Sequence, residues 1–446
     1  MYLDDSYNDS RGNGISTDAP ASGVFIIHPV FKQKSSAQNR TISSCLEEAL
    51  GLANAIDLEV VENIPVNIPE IKPATLFGSG KVNELRGYIK NSDVSLVIVN
   101  SKLTPIQQRN LEKQWDCKVI DRTALILEIF GARARTHEGK LQVELAALNY
   151  QKSRLVRSWT HLERQRGGFG FMGGPGESQI EIDRRLISDE IAKLKKQLEQ
   201  VKRTRNLHRK NRRSVPFPIV ALLGYTNAGK STLFNYLTGA KVMAQDKLFA
   251  TLDPTMRALE LPSGGKIIIS DTVGFVSDLP TELVAAFSAT LEDVLEADIL
   301  LHVRDISHTD TVAQKEDVEQ VIRKLFNSDS LPDNLIEVCN KIDNINFEGS
   351  DYGDIKNEGG RVYISAKTGE GVSNLVETID KMVSRLFFQE VIYHLKMDYG
   401  KVLSWLYSNG KVIKKDIVDD EEILVKVQLS KDNIKRFEYR YGQIPV

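Results

Sequence analysis

The chain has 446 residues, of which 41% are hydrophobic and 26% charged, a composition that is ordinary for globular proteins. Its 58 basic and 60 acidic side chains nearly cancel, and no apolar run approaches the ~20 residues that a membrane-spanning helix needs, which excludes a transmembrane protein. A chain of this length predicts roughly three folding units.

The amino-terminal region predicts a leader followed by a small domain. Residues 1-22 are polar and lack the basic start and apolar stretch of a secretory signal, so we expect a disordered leader on a cytoplasmic protein. Strand-like apolar runs, Val24 to Ile27 and Val94 to Val99, flank a stretch with helical spacing from Ser43 to Ala55. We therefore predict a small α/β domain over residues 23-118.

A helical arm is predicted over residues 119-213. Apolar residues recur at helical spacing from Asp121 to Leu155 and again from Ile180 to Val201, with charged residues between them. Between these stretches, Gly167 to Gly176 has six glycines and one proline in ten residues, which predicts a mobile loop.

The far end of this arm is strongly basic. Seven cations fall within twelve residues that include no acidic side chain: Lys202, Arg203, Arg205, Arg209, Lys210, Arg212 and Arg213. A second basic group precedes the glycine-rich loop and consists of Arg133, Arg135, Arg154, Arg157, Arg164 and Arg166. Such density is typical of contact with a nucleic-acid backbone, and a solvated helix face is the alternative. Phe169 and Phe171 suit base stacking or hydrophobic packing.

The rest of the chain predicts a second α/β region. The strand-like run Ile219 to Leu223 opens an alternation of strands and helices, which is typical of a mostly parallel sheet flanked by helices. We assign it to residues 214-388 and predict a further small α/β module, without a recognisable chemical motif, over residues 389-446.

A phosphate-binding loop follows the first of these strands and precedes a predicted helix. It consists of Gly224, Tyr225, Thr226, Asn227, Ala228, Gly229, Lys230 and Ser231. Its glycines let backbone N–H groups point at phosphates, Lys230 reaches the β and γ oxygens, and Ser231 offers its hydroxyl to Mg²⁺. We expect Lys230 to be catalytic and Ser231 to be a magnesium ligand.

Two later motifs decide which base is bound. Asn340, Lys341, Ile342 and Asp343 follow one apolar strand, and Ser365, Ala366 and Lys367 follow the next. The carboxylate of Asp343 can accept hydrogen bonds from N1–H and the exocyclic amine of guanine, whereas adenine would leave it unpaired. Backbone N–H groups of the second motif would face guanine O6. Three motifs in this order predict a P-loop GTPase domain that binds GTP and GDP and hydrolyses GTP.

Two segments between these motifs suit switches that sense the γ-phosphate. They are Phe249, Ala250, Thr251, Leu252 and Asp253, and Asp271, Thr272, Val273 and Gly274. We expect Asp271 to hold Mg²⁺ through water and Gly274 to offer its N–H to the γ-phosphate. Thr251 would complete the metal shell, with Thr255 as a nearby rival. Thr251, Asp271 and Gly274 join Lys230 as predicted catalytic residues.

Phe275 stands where Ras-like GTPases place the glutamine that orients the attacking water. A phenyl ring cannot orient water, so slow intrinsic hydrolysis is expected unless a partner, a rearranged loop or a cation supplies the positioning. Asn227 could help K⁺ bridge the phosphates, with a purely structural asparagine as the alternative.

At these residues the chain resembles the HflX family of ribosome-associated GTPases. Beyond the nucleotide motifs, the resemblance rests on Leu103 to Glu112, Asp121-Arg122-Thr123, Gly173 to Glu177 and Asp183-Arg184-Arg185. The resemblance implies binding to the 50S ribosomal subunit and its rRNA, with the amino-terminal region approaching the peptidyl transferase centre, and splitting or rescue of stalled ribosomes.

Other functions remain open from the sequence. A regulatory switch whose GTP form acts on a protein partner, such as a membrane protease complex, would need only a peripheral membrane association. An RNA helicase that also uses ATP has less support, because no second phosphate loop is found in the amino-terminal region. We expect a monomer.

Overall fold

The computed structural model describes residues 23–32, 40–92, 94–163, 179–212, 217–240, 248–249, 255–277, 293–345, 361–396, 400–419 and 422–441. The predicted leader, the glycine-rich loop and Ala250 to Asp253 lie outside these residues. None of the helices described is long and apolar enough to cross a bilayer. The chain divides into two compact units, and the first contains the residues up to Leu207 together with the segments around Phe249 and Ser277.

The first unit is built on a four-stranded parallel sheet in the order β2-β1-β3-β4. Its elements are β1 (Gly23–Phe31), α1 (Ile42–Asn54), β2 (Val60–Ile68), α2 (Ser79–Asn91), β3 (Val94–Val99), α3 (Pro105–Trp115), β4 (Lys118–Asp121) and α4 (Arg122–Arg133). The predicted strands and helix of this region lie within β1, β3 and α1. The boundary expected at residue 118 falls at the start of β4, because the last strand follows Cys117 directly.

Helix starts in this unit follow capping chemistry. The Thr104 side chain accepts from the Gln107 amide, and the Gln107 side chain accepts from the Thr104 amide, with Pro105 in the first turn of α3. Asp121 caps α4 by accepting from the Ala124 amide at 2.9 Å. The core holds Phe25, Val97, Val99, Leu111 and Trp115, among others.

Two long helices follow, α5 (His137–Glu163) and α6 (Gln179–Arg212). They pack through leucines at helical spacing, with Leu141 against Leu194 and Leu198 and with Leu145, Leu148 and Val201 around them. The region predicted as an arm, residues 119-213, thus contains these two helices in contact, but it also includes most of β4 and all of α4, which packs against α1 and β3.

The phosphate loop, the second predicted switch and the base motifs lie at a six-stranded sheet in the second unit, in the order β10-β9-β8-β5-β7-β6. Its elements are β5 (Ile219–Gly224), α7 (Lys230–Thr238), β6 (Thr255–Glu260), β7 (Lys266–Asp271), β8 (Ile299–Asp305), α8 (Thr311–Phe326), β9 (Leu335–Asn340), β10 (Arg361–Tyr363) and α9 (Val372–Phe387). Every pair is parallel except β6 with β7. Because parallel strands end at one edge of a sheet, Gly224, Asp271 and Asn340 share that edge. The predicted fold class, an α/β P-loop GTPase domain, is confirmed.

The last elements of this unit form a three-stranded antiparallel sheet with two helices. They are β11 (Phe388–Lys396), α10 (Gly400–Asn409), β12 (Lys411–Asp419), β13 (Glu422–Ser430) and α11 (Lys431–Tyr441), with β13 in the centre. Val425, Val427, Leu406 and Phe437 build its core. The sequence predicts a helix over Val402 to Tyr407 and a strand over Ile423 to Val427, which lie within α10 and β13, but it does not indicate β11 or β12. In β12 this is because Lys414, Lys415 and Asp416 mask the alternation of a strand.

Candidate nucleotide-binding site

The phosphate loop curls where its glycines allow it. Gly224 ends β5 with φ 149°, and a Cβ there would collide with the carbonyl of Val303. Gly229 has φ 92°, and a Cβ there would collide with the side-chain amide of Asn340. Asn227 adopts φ 60°, a left-handed conformation that asparagine tolerates better than most residues. The loop then enters α7 at Lys230, so the amino-terminal end of the helix faces the loop.

Lys230 is buried and bonded to the loop itself. Its Nζ donates to the carbonyl oxygens of Gly224 at 3.1 Å and Tyr225 at 2.7 Å. Burial lowers the pKa of Lys230 to about 8, and the nearby Asp271 carboxylate opposes part of that shift. Among the described residues, the hydrogen bonds of this buried ammonium go to neutral carbonyls, so an anionic ligand would stabilise it, because phosphate oxygens would compensate its lost hydration.

Ser231 and Asp271 converge at the strand edge. The Ser231 hydroxyl donates to Asp271 Oδ2 at 2.7 Å, and Asp271 stands at the end of β7, beside Leu222 of β5. Hydroxyl and carboxylate oxygens are the ligand types that Mg²⁺ prefers, so these residues fit a magnesium site. Thr255 lies directly opposite Asp271 in the β6–β7 pairing, whereas Thr251 lies outside the described residues.

The second predicted switch, Asp271 to Gly274, lies in contact with β5 and the phosphate loop. The Thr272 hydroxyl donates to the Leu222 carbonyl at 2.6 Å, and a Cβ on Gly274 would crowd the main chain of Thr226. The main chain of Phe275 pairs with the loop, since its N–H donates to the Gly224 carbonyl at 3.0 Å and its carbonyl accepts from the Thr226 amide at 2.7 Å. The Phe275 side chain is only 6% exposed. In this arrangement it is packed into the protein.

The predicted base-reading residues are already bonded to one another. Asn340 donates to the Ala228 carbonyl at 2.8 Å and accepts from the Ala366 amide at 2.9 Å, which links the base motifs to the phosphate loop. Asp343, in the short 3-10 helix Ile342–Asn344, accepts from the Ser365 hydroxyl at 2.7 Å. The structure thus brings these two motifs together.

One further residue belongs to the base region. Asp305, at the end of β8, pairs with Lys341 at 2.7 Å, and Lys341 itself has a left-handed φ of 65°. Asp305 is not among the residues predicted from the sequence. The available signal was its position shortly after the apolar run Ile299 to Leu301, where the carboxyl end of a parallel strand could be expected.

The structure describes some of the basic residues that were predicted to contact RNA. Arg203 is exposed on α6, and the helix continues to Arg212, whereas Arg213 lies outside the described residues. Two arginines of the second basic group have internal partners. Arg154 pairs with the buried Asp121 at 2.7 Å and stacks on Tyr150, and Arg133 donates to main-chain carbonyls.

Family models match most of the chain. Residues 43–131 match "GTP-binding GTPase N-terminal" and 133–212 match "GTP-binding GTPase Middle Region". Residues 219–341 match "50S ribosome-binding GTPase", and 354–446 match "HflX C-terminal domain".

Curated relatives resemble the chain over most of its length. A protein of Magnetococcus marinus named GTPase HflX is 52% identical over 83% of this chain and 84% of its own. The GTPase HflX of Escherichia coli is 40% identical over 91% of this chain and 92% of its own. Among solved structures, a GTP-binding protein of Sulfolobus solfataricus in complex with GDP is 23% identical, covers 81% of this chain and 99% of its own, and has a TM-score of 0.42.

Proposed function

Because the chain belongs to the HflX family of GTPases, and therefore binds and hydrolyses GTP, we propose that it acts on the ribosome, associating with the 50S subunit and its rRNA to split or rescue stalled ribosomes. The observation that carries this proposal is the basic end of the α5–α6 arm, next to a GTPase region that matches a model described as ribosome-binding.

The arm suits an RNA partner by its length and charge. Helix α6 has 34 residues, which corresponds to about 50 Å at ~1.5 Å per residue. The basic segment begins directly after Val201, the last residue of α6 that packs against the leucines of α5, and the helix continues to Arg212. Cations concentrated at one end favour a polyanion, since each phosphate contact releases counterions.

The chemistry proposed for the nucleotide site follows from its residues. Lys230 and the loop amides hold the β- and γ-phosphates, and Asp343 reads guanine. Ser231 and Thr251 would bind Mg²⁺, with Asp271 acting through water, and the ion would neutralise charge that develops on the phosphates. The burial of Phe275 supports slow intrinsic hydrolysis, with K⁺ near Asn227 as a source of extra positive charge. Equal hydrolysis rates in potassium and sodium buffers would exclude this use of K⁺.

The test is cosedimentation with ribosomes under GTP, GDP and a non-hydrolysable analogue, at several salt concentrations. The variant replaces Lys202, Arg203 and Arg205 with glutamine, which preserves helix propensity. Its matched control replaces three cations earlier on the same helix, Lys193, Lys195 and Lys196. We expect only the first variant to bind ribosomes more weakly and to show a smaller change of ribosome affinity with salt concentration. Both variants should keep the GTP affinity of the wild type.

The same gradients report subunit separation. An increase in free subunits with the GTP-bound wild-type protein, weaker in the arm variant, is the expected result. If both variants sediment with ribosomes like the wild type, the arm is a solvated face, and the regulatory switch on a protein partner becomes the better explanation. The cytoplasmic location and monomeric state remain predictions.

A further inference from the structure

Thr226, in the phosphate loop, has a buried hydroxyl that no protein group satisfies. The residue is 6% exposed, and among the residues that the structure describes its Oγ1 has no hydrogen-bond partner. Such an atom lowers the stability of a fold, because it has lost its hydration and gained no bond in return. An unpaired hydroxyl inside a phosphate-binding loop is therefore a candidate for contact with the ligand.

The main chain of Thr226 is fixed by the segment that follows β7. Its amide donates to the Phe275 carbonyl at 2.7 Å, and the Phe275 amide donates to the Gly224 carbonyl at 3.0 Å. With the main chain held in this way, only rotation about the Cα–Cβ bond moves the hydroxyl. A β-branched side chain is restricted in that rotation. The hydroxyl therefore has few positions to choose from before a ligand binds.

Thr226 borders the space next to Lys230 and Gly274. A Cβ built on Gly274 would lie 2.9 Å from both Cα and Cγ2 of Thr226 and 3.0 Å from Nζ of Lys230. All three residues belong to the second unit. Lys230 and Gly274 are the two residues predicted to contact the γ-phosphate, and Oγ1 of Thr226 is attached to the same carbon as Cγ2. A γ-phosphate bound by those two residues would therefore come within reach of the Thr226 hydroxyl.

Hydrolysis at this site needs a group that orients water. Phe275 stands where a glutamine would do so, and its buried phenyl ring has no polar atom. A hydroxyl offers one donor and two acceptor lone pairs, so it can accept from a water and donate to a phosphate oxygen at the same time. Thr226 thus carries the kind of group that Phe275 lacks.

We propose that Thr226 is a catalytic residue whose hydroxyl orients the attacking water in GTP hydrolysis. The inference rests on the nucleotide site proposed above. The water oxygen forms a bond to the γ-phosphorus, the bond from that phosphorus to the bridging oxygen breaks, and GDP leaves with the electron pair. One water proton passes to a γ-phosphate oxygen, and the other stays on the oxygen that attacked. Oγ1 accepts a hydrogen bond from the water and donates one to a phosphate oxygen, so the threonine is unchanged at the end.

The test compares Thr226→Val, which keeps the shape and loses the hydroxyl, with Thr226→Ser, which keeps the hydroxyl and loses the methyl group. We expect kcat of the protein alone to fall about thirtyfold in Thr226→Val, the effect of losing a hydrogen bond to a charged group. Thr226→Ser should recover most of that loss. In potassium buffer, GDP with aluminium fluoride, which mimics the phosphoryl group in transfer, should bind Thr226→Val more weakly by a similar factor. The affinity for GDP alone should change little.

Thr378→Val is the matched control, because Thr378 lies on α9, where its hydroxyl donates to the Asn374 carbonyl at 2.8 Å. It should leave kcat and the binding of the aluminium fluoride complex unchanged. The proposal is overturned if Thr226→Val keeps the wild-type kcat, or if Thr226→Ser loses as much as Thr226→Val. It is also overturned if valine weakens GDP as much as the fluoride complex, since Thr226 would then act on binding alone.

A wrong assignment of the nucleotide site would give a different result. In that case Lys230→Ala would bind GTP like the wild type, whatever the Thr226 variants do. No ribosomes are present in these assays, so their outcome is also independent of the ribosomal role.

Discussion

The phosphate side and the guanine side of the nucleotide site differ in how their polar groups are occupied. On the guanine side, Asn340 bonds to Ala228 and Ala366, and Asp343 accepts from Ser365, so the pocket is assembled without a ligand. On the phosphate side, Lys230 is bonded to carbonyls of its own loop and Ser231 to Asp271.

We therefore expect the guanine side to recognise the base without rearranging and the phosphate side to rearrange when nucleotide binds. We expect the guanine side to keep its internal bonds when a base enters, because the second carboxylate oxygen of Asp343 and the backbone amides would supply the contacts. We expect the phosphate side to exchange its internal bonds for bonds to phosphate and metal. Movement upon nucleotide binding is therefore expected on the phosphate side, where Phe275, next to the second predicted switch, also pairs with the phosphate loop.

The largest effect is expected from Lys230→Ala. If this buried cation bonds to the β- and γ-phosphates as proposed, its removal should lower GTP affinity by about a thousandfold, since several charge-assisted hydrogen bonds are lost. GDP affinity should fall less, because the γ contact is absent. Titration with fluorescent GDP and a GTP analogue measures both. Equal losses for the two nucleotides would place Lys230 away from the γ-phosphate.

Asp343→Asn tests the guanine side. The amide presents a donor to guanine N1–H and N2–H, so GTP affinity should fall about a hundredfold. Xanthosine triphosphate, which has a carbonyl at C2, should bind more tightly to the variant than to the wild type. Competition titrations of the two nucleotides provide the comparison. Unchanged preference for guanine would remove Asp343 from base recognition.

The smallest effect is expected from a change of pH, which should act through Lys230 on the phosphate side of the site. With a pKa of about 8, Lys230 is charged below that pH in the free protein and increasingly neutral above it. Phosphates favour the charged form, so GTP affinity should be flat below the pKa and fall above it, by about fourfold between roughly pH 7 and pH 8.5. Calorimetry in buffers of different ionisation enthalpy should detect proton uptake only at the higher pH. Absence of uptake would mean that Lys230 is already fully charged in the free protein.

Local signals account for what could be predicted from the sequence. The phosphate loop was recognisable because Gly224 and Gly229 follow a strand and precede a helix, and the fold class follows from the alternation of strands and helices. Contacts distant in sequence gave no such signal. Arg122 and Ser277 are 155 positions apart, and nothing near either residue indicates the other. Charge density also pointed to RNA contact at Arg133 and Arg154, although the structure gives both internal partners.

The close approach of Gly229 to the amide of Asn340 has an evolutionary consequence. Any side chain at position 229 would displace the Asn340 amide that bonds to Ala228. Substitutions at positions 229 and 340 are therefore not independent of each other. A lineage that acquired alanine at 229 would need a change at 340 to relieve the collision, and alanine would still be strained at the φ of 92°. Sequence variation at this pair should therefore be strongly epistatic, and libraries that randomise either position alone should yield almost only the parental residue.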